Sequence, residues 1–311
     1  MENIIAPVDR KKLLEELSDD KLLRTANYCG NKIYVFQAGD SPFLMQEIGR
    51  LREISFREAG GGTGKKCDID SSDIAEKPYS QLIVWNDTEQ EILGGYRFKD
   101  LSRDVEFNAD GQPELSTAEI FKFSDTFIKE YMPQTIELGR SFVQPKYQSK
   151  NNSRLGLFAL DGLWDGLGAV YRQREDHIKY FFGKVTMYTT FNKEARDYIL
   201  AFLSVYFYDK ENLITADNAI KAALTKDEIQ KLFSGTDYKK DYKTLNHLVR
   251  SLGENIPPLL NAYMNLSPTT KIFPTVTNPF FGGVEETGIL VKVDDILPEK
   301  KARHLDSYIK K

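Results

Sequence analysis

The sequence predicts an α/β or α+β sandwich built around one main sheet. Two observations lead there. Segments rich in β-branched and aromatic residues alternate with segments whose apolar residues recur at helical spacing, the pattern of a layered sheet-and-helix domain. The composition supplies a core: of 311 residues, 41% are hydrophobic and 28% charged, which excludes a disordered, collagenous or coiled-coil chain.

Residues 10–27 (RKKLLEELSDDKLLRTAN) carry Leu13, Leu14, Leu17, Leu22 and Leu23 at roughly helical recurrence and predict one or two short amphipathic helices. Residues 31–38 (NKIYVFQA) predict a strand that ends at Gly39. A helix follows, with Ser41 as N-cap, Pro42 in the first turn, and Phe43, Leu44, Ile48, Leu51 and Phe56 on one stripe up to Gly60. Residues 79–85 and 92–98, joined by a polar turn, predict a β-hairpin. TIELGRSFV (135–143) is the next strand, and strict alternation would put Glu137 and Ser141 on one face with Arg140 on the other. After a polar, basic loop at 144–154 come a helix (GLFALDGLWDGLGAVYRQ), a strand at 177–188 and a helix at 193–207. No repeat, low-complexity tract or linker divides the chain, and residues 1–30 are expected to form an N-terminal helical extension.

Composition and motif checks narrow the function. With 42 Lys+Arg against 46 Asp+Glu the net charge is −4, which argues against nucleic acid as a partner. Cys29 and Cys67 make no disulfide framework, and His177, His247 and His304 lie far apart, so no metal site is expected and a reducing cytoplasm is. The N-terminus lacks the apolar core of a secretory signal. The longest apolar-aromatic stretch, 198–208, falls short of the ~20 residues that cross a bilayer, so contact with the inner membrane surface is expected to be transient at most. GGGTGKK at 60–66 fails as a phosphate loop: Ala59 stands where the first glycine belongs, Lys66 replaces Ser or Thr, and a helix precedes it. A flexible connection is the expected reading. No G-x-S-x-G elbow is present, which disfavours serine hydrolase chemistry.

A set of charged residues is spread over successive elements: Arg52 on the long helix, Asp68, Asp70 and Asp73 in CDIDSSD, Arg97 ending GGYRF, and Glu137 and Arg140 in the 135–143 strand. Burying them singly would be costly, so they are expected to converge into a network. Taken alone, Glu137 and Arg140 read as structural ion-pair members at a sheet end.

In this order, R-x-x-x-F (Arg52 to Phe56), D-x-D-x-x-D (68–73), GGYR (94–97) and E-L-x-R (137–140) resemble the signature of acyl-homoserine-lactone synthases and their relatives. Those relatives are the N-acyltransferases that open ornithine-lipid and glycine-lipid synthesis, often labelled hemolysins. The resemblance to that branch continues through ELGRSFVQPKYQ, GLFALDGLWDGL, FFGKVTMY, IPPLLNAYMNL (256–266) and GILVKVDDI (288–296), covering about residues 33–300. It implies a GNAT-like domain over residues 31–311, with a family-specific region at about 197–311. In that fold a central mixed sheet, flanked by helices, splays between two neighbouring strands, here TIELGRSFV and HIKYFFGKVTMY, and admits an acyl-pantetheine arm. The resemblance further implies that a backbone N–H at Phe142 or Val143 holds the thioester carbonyl, without a covalent enzyme intermediate. Glu137 would be the general base, directly or through water, with Arg140, Arg52, Asp70 and Asp73 orienting the site. Arg97 would either grip the acceptor carboxylate through paired hydrogen bonds or serve as a structural ion pair.

The donor is argued from charge. Residues 146–196 hold nine bases against five acids, a local +4 suited to steering an acidic acyl carrier protein, with a solvated charged face as the alternative. Lys146, Lys150 and Arg154 lie at the expected donor entrance. The loop departs from the usual acetyltransferase pattern R/Q-x-x-G-x-G/A, having only Gly156 in KYQSKNNSRLG, so tight binding of a coenzyme A pyrophosphate is not expected. The phosphopantetheine thioester of acyl carrier protein is the expected donor, a coenzyme A thioester the alternative, and no cofactor is expected to be held permanently. Among 19 Phe and 16 Tyr most should be core, and Phe43, Phe56, Trp164 and Phe181 are candidates for an acyl tunnel. The expected reaction moves a 3-hydroxy fatty acyl group to the α-amine of glycine first, ornithine second. Two rivals stand: an acetyl-CoA-dependent acetyltransferase of small amines, and a non-catalytic acyl- or lipid-binding protein on the same fold.

Overall fold

The computed structural model describes residues 1–103, 105–148 and 153–309. The first half supplies α1 (Arg10–Glu16), β1 (Leu22–Thr25), β2 (Lys32–Phe36), α2 (Pro42–Glu58), α3 (Ser71–Ile74), β3 (Ser80–Asn86), β4 (Glu91–Asp100), β5 (Lys122–Phe123) and β6 (Thr135–Val143). Next come α4 (Pro145–Gln148), α5 (Ser153–Arg172), β7 (Tyr180–Met187), α6 (Lys193–Tyr206) and β8 (Ile214–Thr215). The remainder is α7 (Lys226–Leu232), α8 (Tyr238–Ser251), α9 (Pro258–Met264), β9 (Lys271–Asn278), β10 (Val284–Lys292) and α10 (Pro298–His304).

Eight strands form one mixed sheet in the order β1-β2-β3-β4-β6-β7-β10-β9. Its neighbours are antiparallel except β6 and β7. Alternation along the strands sends Leu82 and Val84 to one face and Ile83 and Trp85 to the other. The first face packs under α5, α6, α8 and α9 through Leu163, Leu167, Phe202, Leu245 and Leu260. The second packs under α2 through Leu44, Ile48 and Leu51. A further aromatic cluster joins Phe123 and Phe127 to Phe182 of β7.

The long helices, the hairpin of β3 and β4, and strands β2, β6 and β7 form where periodicity places them. Residues 18–27 do not form a second helix. After α1 the chain turns, with the Lys21 N–H bonded to the Ser18 carbonyl, and β1 pairs antiparallel with β2. An open sheet edge offers the backbone more than two leucines offer a short helix. Nor does the Ser41 side chain cap α2; the Glu16 carboxylate of α1 accepts the N–H groups of Phe43 and Leu44 at 3.0 and 2.7 Å.

The 60–66 loop is not slack. Buried Glu53 accepts the Thr63 N–H and hydroxyl at 3.1 and 2.7 Å and the Gly64 N–H at 2.8 Å. Gly62 and Gly64 adopt positive φ of 91° and 75° to allow this wrap. The glycines enclose the chain's own carboxylate where a phosphate loop would enclose a ligand.

Strand β6 departs from a regular ladder in two places. Gly95 pairs with Phe142 whereas Arg97 pairs with Gly139, so Arg140 and Ser141 together oppose Tyr96, and Arg140 has φ +49°. This is a β-bulge, and it breaks strict alternation. Arg140 therefore joins the same face as Glu137, and Ser141 turns to the opposite face beside the Tyr96 hydroxyl, the reverse of the alternation reading. In addition, β6 and β7 pair only from Thr135↔Tyr180 to Leu138↔Gly183. Past that point the two strands carry no mutual pairing and the sheet parts.

Candidate active site

The charged residues singled out in the sequence converge under α2. Short α3 sets two of the acids through a capping box: Asp70 accepts the Asp73 N–H at 3.3 Å and Asp73 accepts the Asp70 N–H at 3.2 Å. Arg52, from the buried stripe of α2, donates to both oxygens of Asp73 at 3.3 Å and to Gln81 at 2.5 Å, and Gln81 donates to Asp73 at 3.0 Å. Arg97 donates to both oxygens of Asp70 at 2.8 Å and lies 3.3 Å from Asp73. Arg140 reaches Asp68 at 3.1 Å and Asp70 at 3.2 Å. Three arginines thus face three aspartates with balanced formal charge. Arg52, Asp68 and Asp73 are fully buried, whereas the side chains of Arg140 and Asp70 are 15% and 29% exposed and form the outer end.

Burial and pairing act unequally inside this network. Burial depresses the Arg52 pKa despite Asp73 and Asp68. Burial opposes ionisation of Asp73 as well, but Arg52 and Arg97 overcome it and hold that carboxyl well below the usual range. Arg97 is raised because Asp73 and Asp70 outweigh its desolvation. Asp68 is raised, since burial exceeds the pull of Arg140, Arg52 and Arg97, and neither of its oxygens accepts a hydrogen bond among the described residues. The Arg97 side chain is 3% exposed and is tied to two carboxylates, Asp70 and Asp73.

Glu137 stands beside this network, not within it. Fully buried, it accepts the Tyr79 hydroxyl and, at 3.2 Å, the Ser116 hydroxyl, while the Ser116 N–H donates to the Tyr79 oxygen at 3.2 Å. The Tyr79 ring connects the two groups, with the Arg97 guanidinium 5.0 Å and the Lys99 ammonium 5.3 Å from its centroid. Burial and the neighbouring Glu137 push the Tyr79 hydroxyl well above its ordinary pKa. Tyr79 and Ser116 also line a cleft of about 260 Å³ that takes in Ser71, Ser72, Lys77 and Glu114, so Glu137 lies one layer behind an open, polar cleft. Sequence reasoning missed Tyr79, Gln81 and Ser116. The first two flank the start of a strand that reads as ordinary, and Ser116 sits in a stretch without periodicity.

Where β6 and β7 part, the Gln144 N–H bonds to the Leu93 carbonyl of β4 at 2.9 Å, so the neighbouring Val143 peptide edge faces away from β4 and towards the gap. Consistent with this, the Val143 carbonyl accepts from Gln148 Nε2 at 2.6 Å. A small void at the parting is lined by Leu138, Phe181, Gly183, Val185, Tyr263 and Ile289. Trp164 packs edge-on to Tyr263 at 5.8 Å, so Phe181 and Trp164 belong to this region, whereas Phe43 and Phe56 pack on the α2 face.

The candidate donor residues separate. Phe142 is buried on the α2 face and Val143 on the α5 face. Lys146 is engaged with Glu91 at 2.9 Å. Lys150 lies outside the described residues. Arg154 is exposed above the Phe158 ring. Arg172 pairs with Glu175, Arg174 with Asp100, Lys184 with Glu286 and Arg196 with Glu285, so most of the described bases of residues 146–196 are engaged in ion pairs. Gly156 is a packing glycine: a Cβ there would run into the Tyr147 carbonyl. Among the described residues no group of three His, Cys, Asp or Glu is placed to hold a metal ion, and no helix is long and apolar enough to cross a membrane.

Comparison with known proteins bears on this arrangement. Residues 51–157, which hold the whole network, match the family model for the acetyltransferase (GNAT) domain. The chain is 54% identical over 310 residues to a glycine N(alpha)-acyltransferase of Phocaeicola vulgatus, covering 100% of this chain and 94% of that protein. It is 53% identical over 309 residues to a glycine N(alpha)-acyltransferase of Bacteroides thetaiotaomicron, covering 99% and 91%. Among solved structures, a CoA-dependent acyl-homoserine lactone synthase with SAM and isopentyl-CoA aligns over 51% of this chain and 68% of that one, at 14% identity and a TM-score of 0.29.

Proposed function

The chain belongs to the glycine N(alpha)-acyltransferase family and is an acyltransferase of GNAT fold, and from that premise we propose that it moves a fatty acyl group, 3-hydroxylated in the first instance, from an acyl carrier protein thioester to the α-amine of glycine. The product is an N-acyl amino acid, the precursor of an aminolipid. One observation carries the reading: β6 and β7 part after Leu138 and Gly183, next to Glu137 and the arginine–aspartate network.

In this reading the pantetheine arm enters the parting, and the Val143 N–H, rather than that of Phe142, donates to the thioester oxygen as charge develops on it. A donor preorganised in a dry site is worth about 3–4 kcal/mol in such steps. Arg140, the most accessible of the three arginines, takes the acceptor carboxylate, while Arg52, Asp70 and Asp73 hold Arg140 and the β4–β6 floor in place. The acceptor ammonium loses one proton to Glu137, which passes it by way of Tyr79 to water in the cleft. The amine nitrogen then forms the C–N bond, the C–S bond breaks, and the second proton leaves on sulfur as the pantetheine thiol. The carrier donor is favoured over coenzyme A because the sequence 146–156 holds a single glycine, and that glycine, Gly156 of α5, is committed to packing against the Tyr147 carbonyl.

The test is direct. Full-length protein, acyl carrier protein thioester and glycine or ornithine are incubated and the product is read by mass spectrometry. N-acylglycine is expected; no acylated product with any amino acid rejects the assignment. Glu137→Gln should lower kcat about 10²–10⁴-fold with acyl binding retained, whereas a binding protein would show no turnover to lose.

A further inference from the structure

We infer that the solvent face of α8, together with the exposed bases at the starts of α5 and α6, is the surface on which an acidic carrier protein docks to deliver its thioester. This rests on the carrier-donor reading above and supplies its site.

The charge lies on one stripe. Along α8, Lys239, Lys243 and His247 recur every four residues and Arg250 follows three further, so they share a face; all four are exposed. None of Lys239, Lys243 or Arg250 forms an ion pair with a described residue, unlike Lys146, Arg172, Arg174, Lys184 and Arg196. The helix has one acid, Asp241, and it is turned inward, accepting the Tyr206 hydroxyl at 2.6 Å and the Gly235 N–H at 3.0 Å. In a chain of net charge −4 this stripe is a concentrated positive field.

Its position suits delivery. Helices α6 and α8 run antiparallel: Phe202 and Tyr206 meet Tyr238 at 5.6 and 5.2 Å, and at the other end the Asn192 N–H donates to Glu254 at 2.9 Å. The Arg250 end of α8 therefore lies at the start of α6, the end of the sheet at which β7 stops and the β6–β7 parting opens. Exposed Lys193 of α6 and exposed Arg154 of α5 stand at that same end. Glu194 is the acid beside Lys193, and the Tyr198 hydroxyl occupies it at 2.8 Å. From α8 the chain continues to α9, held by a Tyr242–Asn261 hydrogen bond, and Tyr263 of α9 lines the void at the parting.

The partner is a protein surface rather than a bilayer. A helix that binds membranes presents apolar residues to the lipid, but the apolar residues of α8 turn inward, Leu245 and Val249 buried and Tyr238, Tyr242 and Leu248 half-buried against the core, and the exposed stripe offers only bases. A row of this kind matches the acids along one helix of a small acidic protein.

The experiment uses the full chain with Lys239→Glu, Lys243→Glu and Arg250→Glu combined, and compares one acyl group presented on carrier protein and on coenzyme A, each with glycine. The expected result is a rise of about tenfold or more in KM for the carrier thioester, with KM and kcat for the coenzyme A thioester within about twofold and an unchanged thermal midpoint. An unchanged carrier KM in the folded variant overturns the proposal, as does an equal rise for both donors. Loss of binding to anionic vesicles with carrier kinetics intact would assign the stripe to lipid and also overturn it. If the unmodified enzyme used coenzyme A alone, the donor reading itself would fall, an outcome seen before any variant is made.

Discussion

Asp73 and Asp68 belong to one network yet pull stability in opposite directions. The Asp73 pKa is held low in the fold, so the unfolded chain takes up its proton first. Its contribution is complete above the usual carboxylate value near ~4 and is lost as pH falls through the lower folded value. Asp68 is raised, so its ionised form weakens the fold and acidification towards its folded pKa relieves the penalty. Asp73→Asn leaves Arg52 and Arg97 buried against too little negative charge and should cost about 3–5 kcal/mol in chemical denaturation. Asp68→Asn leaves Arg140 its contact with Asp70 and should cost about 1 kcal/mol or less, a contrast that equal losses would refute. Tyr79→Phe removes a donor to Glu137 and the hydroxyl that joins it to the cleft, so kcat should fall about tenfold or more with acyl binding retained. A lower thermal midpoint with kcat unchanged would instead make the tyrosine purely structural. The charged members of the site were legible in the sequence because isolated acids and arginines on successive elements need one another. Tyr79 and Ser116 were not, since a hydroxyl is equally at home in core or surface and neither residue breaks a pattern.

Helices α2, α5 and α6 and the β3–β4 hairpin were legible because each repeats one period over a long run between clear stop signals. The four-residue strand β1 was not: Leu22 and Leu23 continue a helical recurrence, and only the free edge of β2 makes extended backbone the better choice. The bulge in β6 was hidden for a different reason, that Arg140 at φ +49° has no sequence mark. Helix α7, by contrast, announces itself through the capping pair Thr225 and Glu228, a signal available to sequence reasoning. Close packing between elements gives its own test. Gly168 of α5 lies against the backbone carbonyl of His304, which also pairs with buried Asp165 at 2.8 Å. Gly168→Ala should lift α10 off α5 and cost about 1–3 kcal/mol, read as a lower denaturation midpoint and faster proteolysis of the C-terminal helix. A midpoint within error of the parent would show that the helix pair is not so tightly seated.

Across the molecule, one sheet separates two chemistries: apolar packing under α5, α6, α8 and α9, and the polar network under α2. Sheet and sandwich follow from the alternation of periods in the sequence, and the likeness to known acyltransferases locates the parted pair of strands. The distribution of positive surface did not follow from counting charges along the chain. Segment 146–196 places most of its bases against acids contributed by β4, β10 and nearby loops, and only folding reveals which remain open to solvent. The parted strands carry a consequence of their own. Beyond Leu138 and Gly183, the backbone amides that face the opening have no partner strand, so in heavy water they should take up deuterium quickly while the paired half of the same strands stays protected. An arm bearing amides of its own would close that ladder and slow the uptake. The residues affected would trace its path along β6 and β7 even in a variant that cannot turn over.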